Sequence, residues 1–241
     1  MDKTIVIENL TKTYKNNRGI QDIYLEVERG DIFGFLGPNG AGKTTAMKIM
    51  VGLMKPDKGD VKINGYSVLN EYEKAMKNVG CIIESVIPYP YMTAFENMKV
   101  CGRFYEEVNN SRIDECLELV GLFKYKNEKT KNFSLGMKQR LGIAMAILSN
   151  PQVLILDEPL NGLDVEGMVE MRNLILKMAR EYKTTFFISS HLIHDIELTC
   201  NKVGILYNGR LLDVDSTDNI LKNYSSLENY YLSEVDTNVG V

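Results

Sequence analysis

The stretch Gly37-Pro38-Asn39-Gly40-Ala41-Gly42-Lys43-Thr44-Thr45 constrains this chain more than any other. It fits the pattern G-x-x-x-x-G-K-[ST]. The apolar run Ile32-Phe33-Gly34-Phe35-Leu36 leads into it, and the helix-compatible Thr45-Ala46-Met47-Lys48-Ile49-Met50-Val51 follows. Strand, glycine loop, helix is the order in which such a loop cradles phosphates. The glycines let the backbone curl with its N–H groups inward, and the start of the helix adds a partial positive charge. A triphosphate seated there meets Lys43 at its outer phosphates, with the Thr44 hydroxyl on Mg²⁺. A glycine-rich turn with a chance lysine would leave the flanking context unexplained.

A second constraint lies downstream. Val153-Leu154-Ile155-Leu156 is a continuous apolar run typical of a strand buried on both faces, and Asp157-Glu158-Pro159 closes it. In a parallel sheet carrying a phosphate loop, that carboxyl edge is where ligands gather. Asp157 is placed to hold the Mg²⁺ shell through water, and Glu158 to polarise the water that attacks a γ-phosphate.

Composition bounds the rest. A chain of 241 residues holds one large domain or two small ones, and 44% hydrophobic content is ordinary for a soluble protein with a core. The formal charge of −4 gives no general reason to expect nucleic acid. No apolar run approaches the roughly 20 residues needed to cross a bilayer. Met1-Asp2-Lys3-Thr4 lacks the layout of a signal peptide, so a cytosolic chain is expected, with any membrane crossing supplied by another chain. Cys81, Cys101, Cys116 and Cys200 are scattered without a C-x-x-C pair and read as reduced packing thiols.

Along the chain, strands are expected at 4–10, 23–27, 59–65, 79–83 and 184–188, with a last hairpin turning on Asn208-Gly209. Tyr14 lies between the first two, beside Lys12, Lys15 and Arg18; the residues alone leave open base stacking or an ordinary loop tyrosine. Prolines at 88 and 90 break the pattern, and Thr93 with Glu96 fits a capping box. Helices are expected over 94–106, 112–120, from Ser134 to about 148, and 165–181. Lys124, Lys126, Lys129 and Lys131 read as a solvated face, and the tail after Ser233 as polar and mobile. The segment 227–232 is expected to pack on the core.

Three further motifs stand in order: Phe133-Ser134-Leu135-Gly136-Met137-Lys138-Gln139-Arg140, then Asn161-Gly162-Leu163-Asp164, then His191 after Phe187-Ile188-Ser189-Ser190. With the two described above, they resemble the nucleotide-binding subunit of an ATP-binding cassette (ABC) transporter over about residues 4–232. The resemblance makes these the signature, commonly LSGGQ, the D-loop and the switch histidine, and places Tyr14 at the family's adenine-stacking aromatic. It implies an α/β fold: a P-loop NTPase (RecA-like) core with an antiparallel β-subdomain and an inserted helical subdomain. Residues 1–87 and 151–215 form the core with its β-subdomain, 88–150 the helical subdomain, and 216–241 a C-terminal extension. ATP and Mg²⁺ are the implied cofactors, and ATP hydrolysis drives transport.

Ser134, read as a helix N-cap, offers a hydroxyl, free N–H groups and the positive dipole end, an anion site without a cation of its own. Such a site makes sense if it caps ATP held by another protomer. The family pattern is a head-to-tail ATP-dependent dimer, either a homodimer or a heterodimer with a paralogue. A separate membrane permease docks it at the inner face of the cell membrane, on a groove beside Tyr89, Tyr91, Met92, Phe95 and Met98. Ser134, Gly136 and Asp164 then face the partner's nucleotide, and His191 bonds the γ-phosphate rather than pairing with His194 on a metal.

The sequence departs from the family at Leu135 and Met137, where the signature usually has glycine and glutamine, and at Glu84, where the family usually carries the Q-loop glutamine. A carboxylate at Glu84 approaches Mg²⁺ with full charge but cannot donate as an amide does. These departures resemble the bacitracin and lantibiotic-resistance exporter branch. One rival is a non-transport ABC ATPase acting on nucleic acid, ribosomes or an assembly complex, though no second cassette or long coiled coil stands in this sequence. The other is a GTPase or kinase, which would leave the signature unexplained.

Overall fold

The computed structural model describes residues 2–15 and 18–239. In chain order it has β1 (Lys3–Thr13), β2 (Gly19–Glu28), β3 (Ile32–Leu36), α1 (Lys43–Met50), β4 (Lys58–Ile63), β5 (Tyr66–Ser67), α2 (Tyr72–Met76) and β6 (Val79–Ile82). A helical stretch follows: α3 (Ala94–Gly102), α4 (Asn110–Leu119) and α5 (Leu135–Ala146). Then come β7 (Val153–Asp157), α6 (Val165–Tyr182), β8 (Thr185–Ser190), α7 (Ile193–Thr199), β9 (Lys202–Tyr207), β10 (Arg210–Ser216), α8 (Thr217–Asn223) and α9 (Leu227–Val239).

Two sheets result. A four-stranded antiparallel sheet runs β2-β1-β4-β5, and a six-stranded sheet runs β10-β9-β3-β8-β7-β6. All neighbours in the second sheet are parallel except β10 on β9. Successive side chains of a strand point to opposite faces, and the central strands obey this residue by residue. Leu154, Leu156, Phe186 and Ile188 join a core shared with α3–α6, whereas Val153, Ile155, Phe187, Phe33 and Phe35 join one shared with α1 and the antiparallel sheet. Burial on both faces explains why these strands read as unbroken apolar runs rather than alternating ones.

The carboxyl ends of four parallel strands lie along one edge, and each feeds a loop of interest. β3 enters the glycine loop, β7 ends on Asp157 before Glu158, β8 ends before His191, and β6 ends before Glu84. Register brings Asp157 opposite Ser189 and Leu36 opposite Ser190.

The helical stretch is set by its caps. Thr93 accepts from Glu96 N while Glu96 accepts from Thr93 N, the reciprocal capping box; Asn109 and Ser134 cap α4 and α5. Helix α3 is shorter than the expected 94–106. Beyond Gly102 the amides of Arg103, Phe104 and Tyr105 turn to carbonyls three residues back, tightening the chain out of α geometry. Lys126 departs from a plain solvated face: its ammonium bonds Asp114 at 2.9 Å and lies 4.3 Å from the Phe123 ring centroid.

The tail differs most. Instead of loosening after Ser233, the chain continues as α9 to Val239. Leu227 and Tyr230, one turn apart, are buried; the Tyr230 hydroxyl donates to Asp213 at 2.6 Å, and its ring meets Tyr224 edge-on at 5.2 Å. These two apolar residues, with the bond to Asp213 and a second from Leu227 N to the Glu197 carboxylate at 2.7 Å, dock an otherwise polar helix.

Candidate active site

Helix α1 begins at Lys43, and Gly42 before it sits in the left-handed region at φ 111. A side chain there would meet Ile20 at 2.5 Å, and one on Gly37 would meet the Leu206 carbonyl at 2.3 Å, so at these two positions the loop passes too close to its neighbours for a Cβ. Lys43 is only 5% exposed. Its ammonium donates to Gly37 O at 2.7 Å and Pro38 O at 3.3 Å, and pairs with Glu158 Oε1 at 3.2 Å.

The acids are held by a relay across β7 and β8. Thr44 Oγ1 donates to Asp157 Oδ2 at 2.9 Å, Ser189 Oγ donates to Asp157 Oδ1 at 2.5 Å, and Glu158 N donates to Ser189 Oγ at 2.9 Å. Glu158 itself adopts φ 50, which turns the chain sharply off the strand end. Its second oxygen, Oε2, lies 2.7 Å from His191 Nδ1. An ionised carboxylate only accepts, so Nδ1–H is the donor. Glu158 is thus gripped between the two groups best suited to bind a terminal phosphate.

Tyr14 stands across the loop, with its hydroxyl 3.4 Å from Thr45 Oγ1 and donating to Met54 Sδ at 3.2 Å. With Arg18, the glycine loop, Glu158 and Asn161 it walls a cleft of about 500 Å³. Gly37 and Ala41 lie behind this cleft, Ala41 buried. Ser134, Gly136 and Asp164 do not line it. They border a separate cavity of about 410 Å³ together with Leu135, Arg140 and Gly162. Ser134 Oγ accepts from Met137 N at 3.2 Å, and Asp164 Oδ1 from Gly167 N at 2.9 Å, so both are helix N-caps.

Glu84 follows β6 with φ 66, and its carboxylate pairs with Lys48 Nζ at 2.5 Å rather than with the loop. That bond, with the Glu84 charge, raises the Lys48 ammonium pKa above its usual value. His194 is exposed on α7, and among the described residues no group of three or more His, Cys, Asp or Glu is arranged for a metal. The oxygens of Thr44 and Asp157 nonetheless suit a hard cation that takes one or two protein ligands and completes its shell with phosphate and water.

Ser189 and Lys48 are the residues that motif reading missed. Ser189 was legible only as part of the run before His191; its tie to Asp157 comes from strand register. Lys48 meets Glu84 across 36 residues of sequence, with no local signal.

A family model described as "ABC transporter" matches residues 20–161. The chain belongs to the ABC transporter family. It is an ATP-binding, ATP-hydrolysing subunit of that family, with the P-loop α/β fold. Over 97% of the chain and 76% of the relative, this ABC ATPase is 41% identical to the bacitracin transport ATP-binding protein BcrA of Bacillus licheniformis. It is 44% identical to the uncharacterized ABC transporter ATP-binding protein YhcH of Bacillus subtilis, over 90% of the chain and 71% of that protein. The lantibiotic transport ATP-binding protein SrtF of Streptococcus pyogenes is 36% identical over 89% and 93%. Among solved structures, the dimeric post-hydrolysis state of the ATP-binding cassette MJ0796 bound to ADP and Pi superposes with TM-score 0.78 at 25% identity, covering 88% of this chain and 98% of that one. In this ABC ATPase no helix among the described residues is long and apolar enough to cross a membrane.

Proposed function

We propose that this ABC ATPase hydrolyses Mg²⁺-ATP at the interface of a head-to-tail dimer and thereby powers export of a peptide antibiotic through a separate permease. The observation that carries the catalytic part is Glu158 clamped between Lys43 and His191 beside the Thr44–Asp157 pair.

Each residue then has a role. The amides of the glycine loop from Gly37 to Gly42 and the start of α1 cradle the phosphates, while Tyr14 stacks on the adenine. As the γ-phosphate enters, Lys43 and His191 exchange their bonds to Glu158 for bonds to phosphate oxygens. The freed carboxylate takes a proton from the attacking water. Thr44 and Asp157, the latter steadied by Ser189, would hold Mg²⁺, with Glu84 reaching its shell; the ion supplies neutralisation of charge on the β- and γ-phosphates.

Ser134 and Gly136 stand away from the same chain's cleft, which supports their facing a partner's nucleotide, with Asp164 beside them. Exposed apolar side chains around them, Leu135 and Val165 (77% exposed), favour burial against a second protomer, either a copy or a paralogue. Residues 1–87 and 151–215 then act as the catalytic body, 88–150 as the signature arm and 216–241 as an extension. Ile87 (85% exposed), Tyr89 and Tyr91 follow Glu84 directly and suit docking of a permease helix at the inner membrane face; Met98, fully buried, belongs to the core instead. The export direction and peptide cargo rest on the likeness to bacitracin and lantibiotic transport proteins.

Single-turnover hydrolysis by Glu158→Gln tests the catalytic assignment. A loss of roughly 10²- to 10⁴-fold with ATP binding retained is expected for a missing general base. Near-normal turnover would remove Glu158 from that role.

A further inference from the structure

Two cations rise from helix α1 toward the acids of this site. Lys43, its first residue, grips Glu158. Lys48 stands five residues further along, and its ammonium is tied to Glu84 at 2.5 Å while also lying within the field of Asp157. Glu84 departs from strand β6 with a left-handed backbone, an uncommon conformation for a residue carrying a side chain, so its carboxylate is aimed by the turn as well as by the ion pair. The bond spans the glycine-loop helix and the loop leaving β6, the two segments that must hold Mg²⁺-ATP jointly if Glu84 is to reach the ion.

We propose that Lys48 is a positioning residue that competes with Mg²⁺ for the Glu84 carboxylate. Before nucleotide arrives, the ammonium neutralises Glu84, which lines the same cavity as Asp157. When Mg²⁺-ATP enters, Glu84 leaves Lys48 for the shell of the ion. An amide at position 84 would pair far more weakly with an ammonium, so the exchange is specific to the glutamate this chain carries. The inference rests on the reading of Glu84 as a Mg²⁺ contact.

Competition and simple repulsion give opposite signs in a double-mutant cycle. If Lys48 only repels the incoming cation, Lys48→Met tightens Mg²⁺ binding at least as much when residue 84 is glutamine, because the ammonium is then unscreened. If Lys48 sequesters Glu84, the gain is larger when the glutamate is present. The readout is the Mg²⁺ concentration that half-saturates binding of a fluorescent ATP analogue to the full chain, so hydrolysis does not enter. For an exposed pair the expected excess is roughly two- to fivefold tighter Mg²⁺ binding for Lys48→Met in the Glu84 background than in Glu84→Gln. Lys48→Arg, which keeps the pairing, should stay near the parent value.

An equal or larger gain in the Glu84→Gln background overturns the proposal and leaves the metal reading intact. If adding Glu84→Ala to Lys48→Met leaves the Mg²⁺ half-saturation of Lys48→Met unchanged, the metal role of Glu84 fails, and the competition with it. Analogue binding without Mg²⁺ reports whether each variant keeps its folded site.

Discussion

At the scale of single residues, the site is a chain of donors in which Ser189 has the most connections for its size. Its hydroxyl donates to Asp157 and accepts from the Glu158 amide, so it fixes the two acids relative to each other. Ser189→Ala would strip a buried carboxylate of one donor and leave a backbone N–H without its acceptor. A buried group left unsatisfied costs about 1–3 kcal/mol, and urea titration should show a loss of that size, with Mg²⁺-dependent turnover reduced more than nucleotide binding. An unchanged urea midpoint would show that water replaces the hydroxyl at no cost. Lys43→Ala acts differently: it removes the cation that faces the outer phosphates, and equilibrium binding should show triphosphate affinity falling toward that for diphosphate. Retained selectivity for triphosphate would argue against Lys43 as the γ-phosphate contact.

Elements explain which parts of the chain were readable in advance. The glycine loop, the capping box at Thr93 and the N-cap at Ser134 are local patterns, and all three stand as the spacing anticipates. The Ser189 relay and the Lys48–Glu84 pair depend on strand register and on contacts between distant segments, so no window of sequence contains them. In α9 the packing of 227–232 was legible, and Leu227 and Tyr230 are buried as expected; the bond to Asp213, 17 residues upstream, and the continuation of the helix past Ser233 were not. Burial, aided by the bond to Asp213, holds the Tyr230 phenol neutral well above the usual tyrosine range. A folded-state pKa raised in this way gives a contribution that is complete below the unfolded value of about 10 and is lost as pH rises beyond it. Ultraviolet titration should therefore find late-ionising tyrosine, and Tyr230→Phe should remove one equivalent from that late step. A late step undiminished in Tyr230→Phe would assign it elsewhere. At the start of the helical stretch, Thr93→Ala should cost about 1 kcal/mol through loss of the cap, seen as a lower Tm. No change in Tm would mean that the neighbouring loop holds α3 without its cap.

Across the whole molecule, one sheet edge gathers the phosphate loop, both acids, the histidine and Glu84, while the signature serine opens onto a different cavity. The proposed head-to-tail dimer would give both cavities a use, with the Ser134 region of one protomer facing the nucleotide cleft of the other. On that proposal the departure of Leu135 from glycine would not remove the site, because Ser134 and the amides at the start of α5 would be the phosphate-facing groups. In the proposed dimer, closure would follow from differential contacts: ATP would bridge Lys43 of one protomer and the Ser134 region of the other, and loss of the γ-phosphate would remove the bridge. Sedimentation of purified Glu158→Gln with saturating Mg²⁺ and ATP tests this most directly. A species of twice the monomer mass is expected, reverting to monomer with ADP or in the additional variant Ser134→Glu. A hydrolysis-blocked variant that stays monomeric under those conditions, alone and with its permease in membranes, would contradict the proposed dimer.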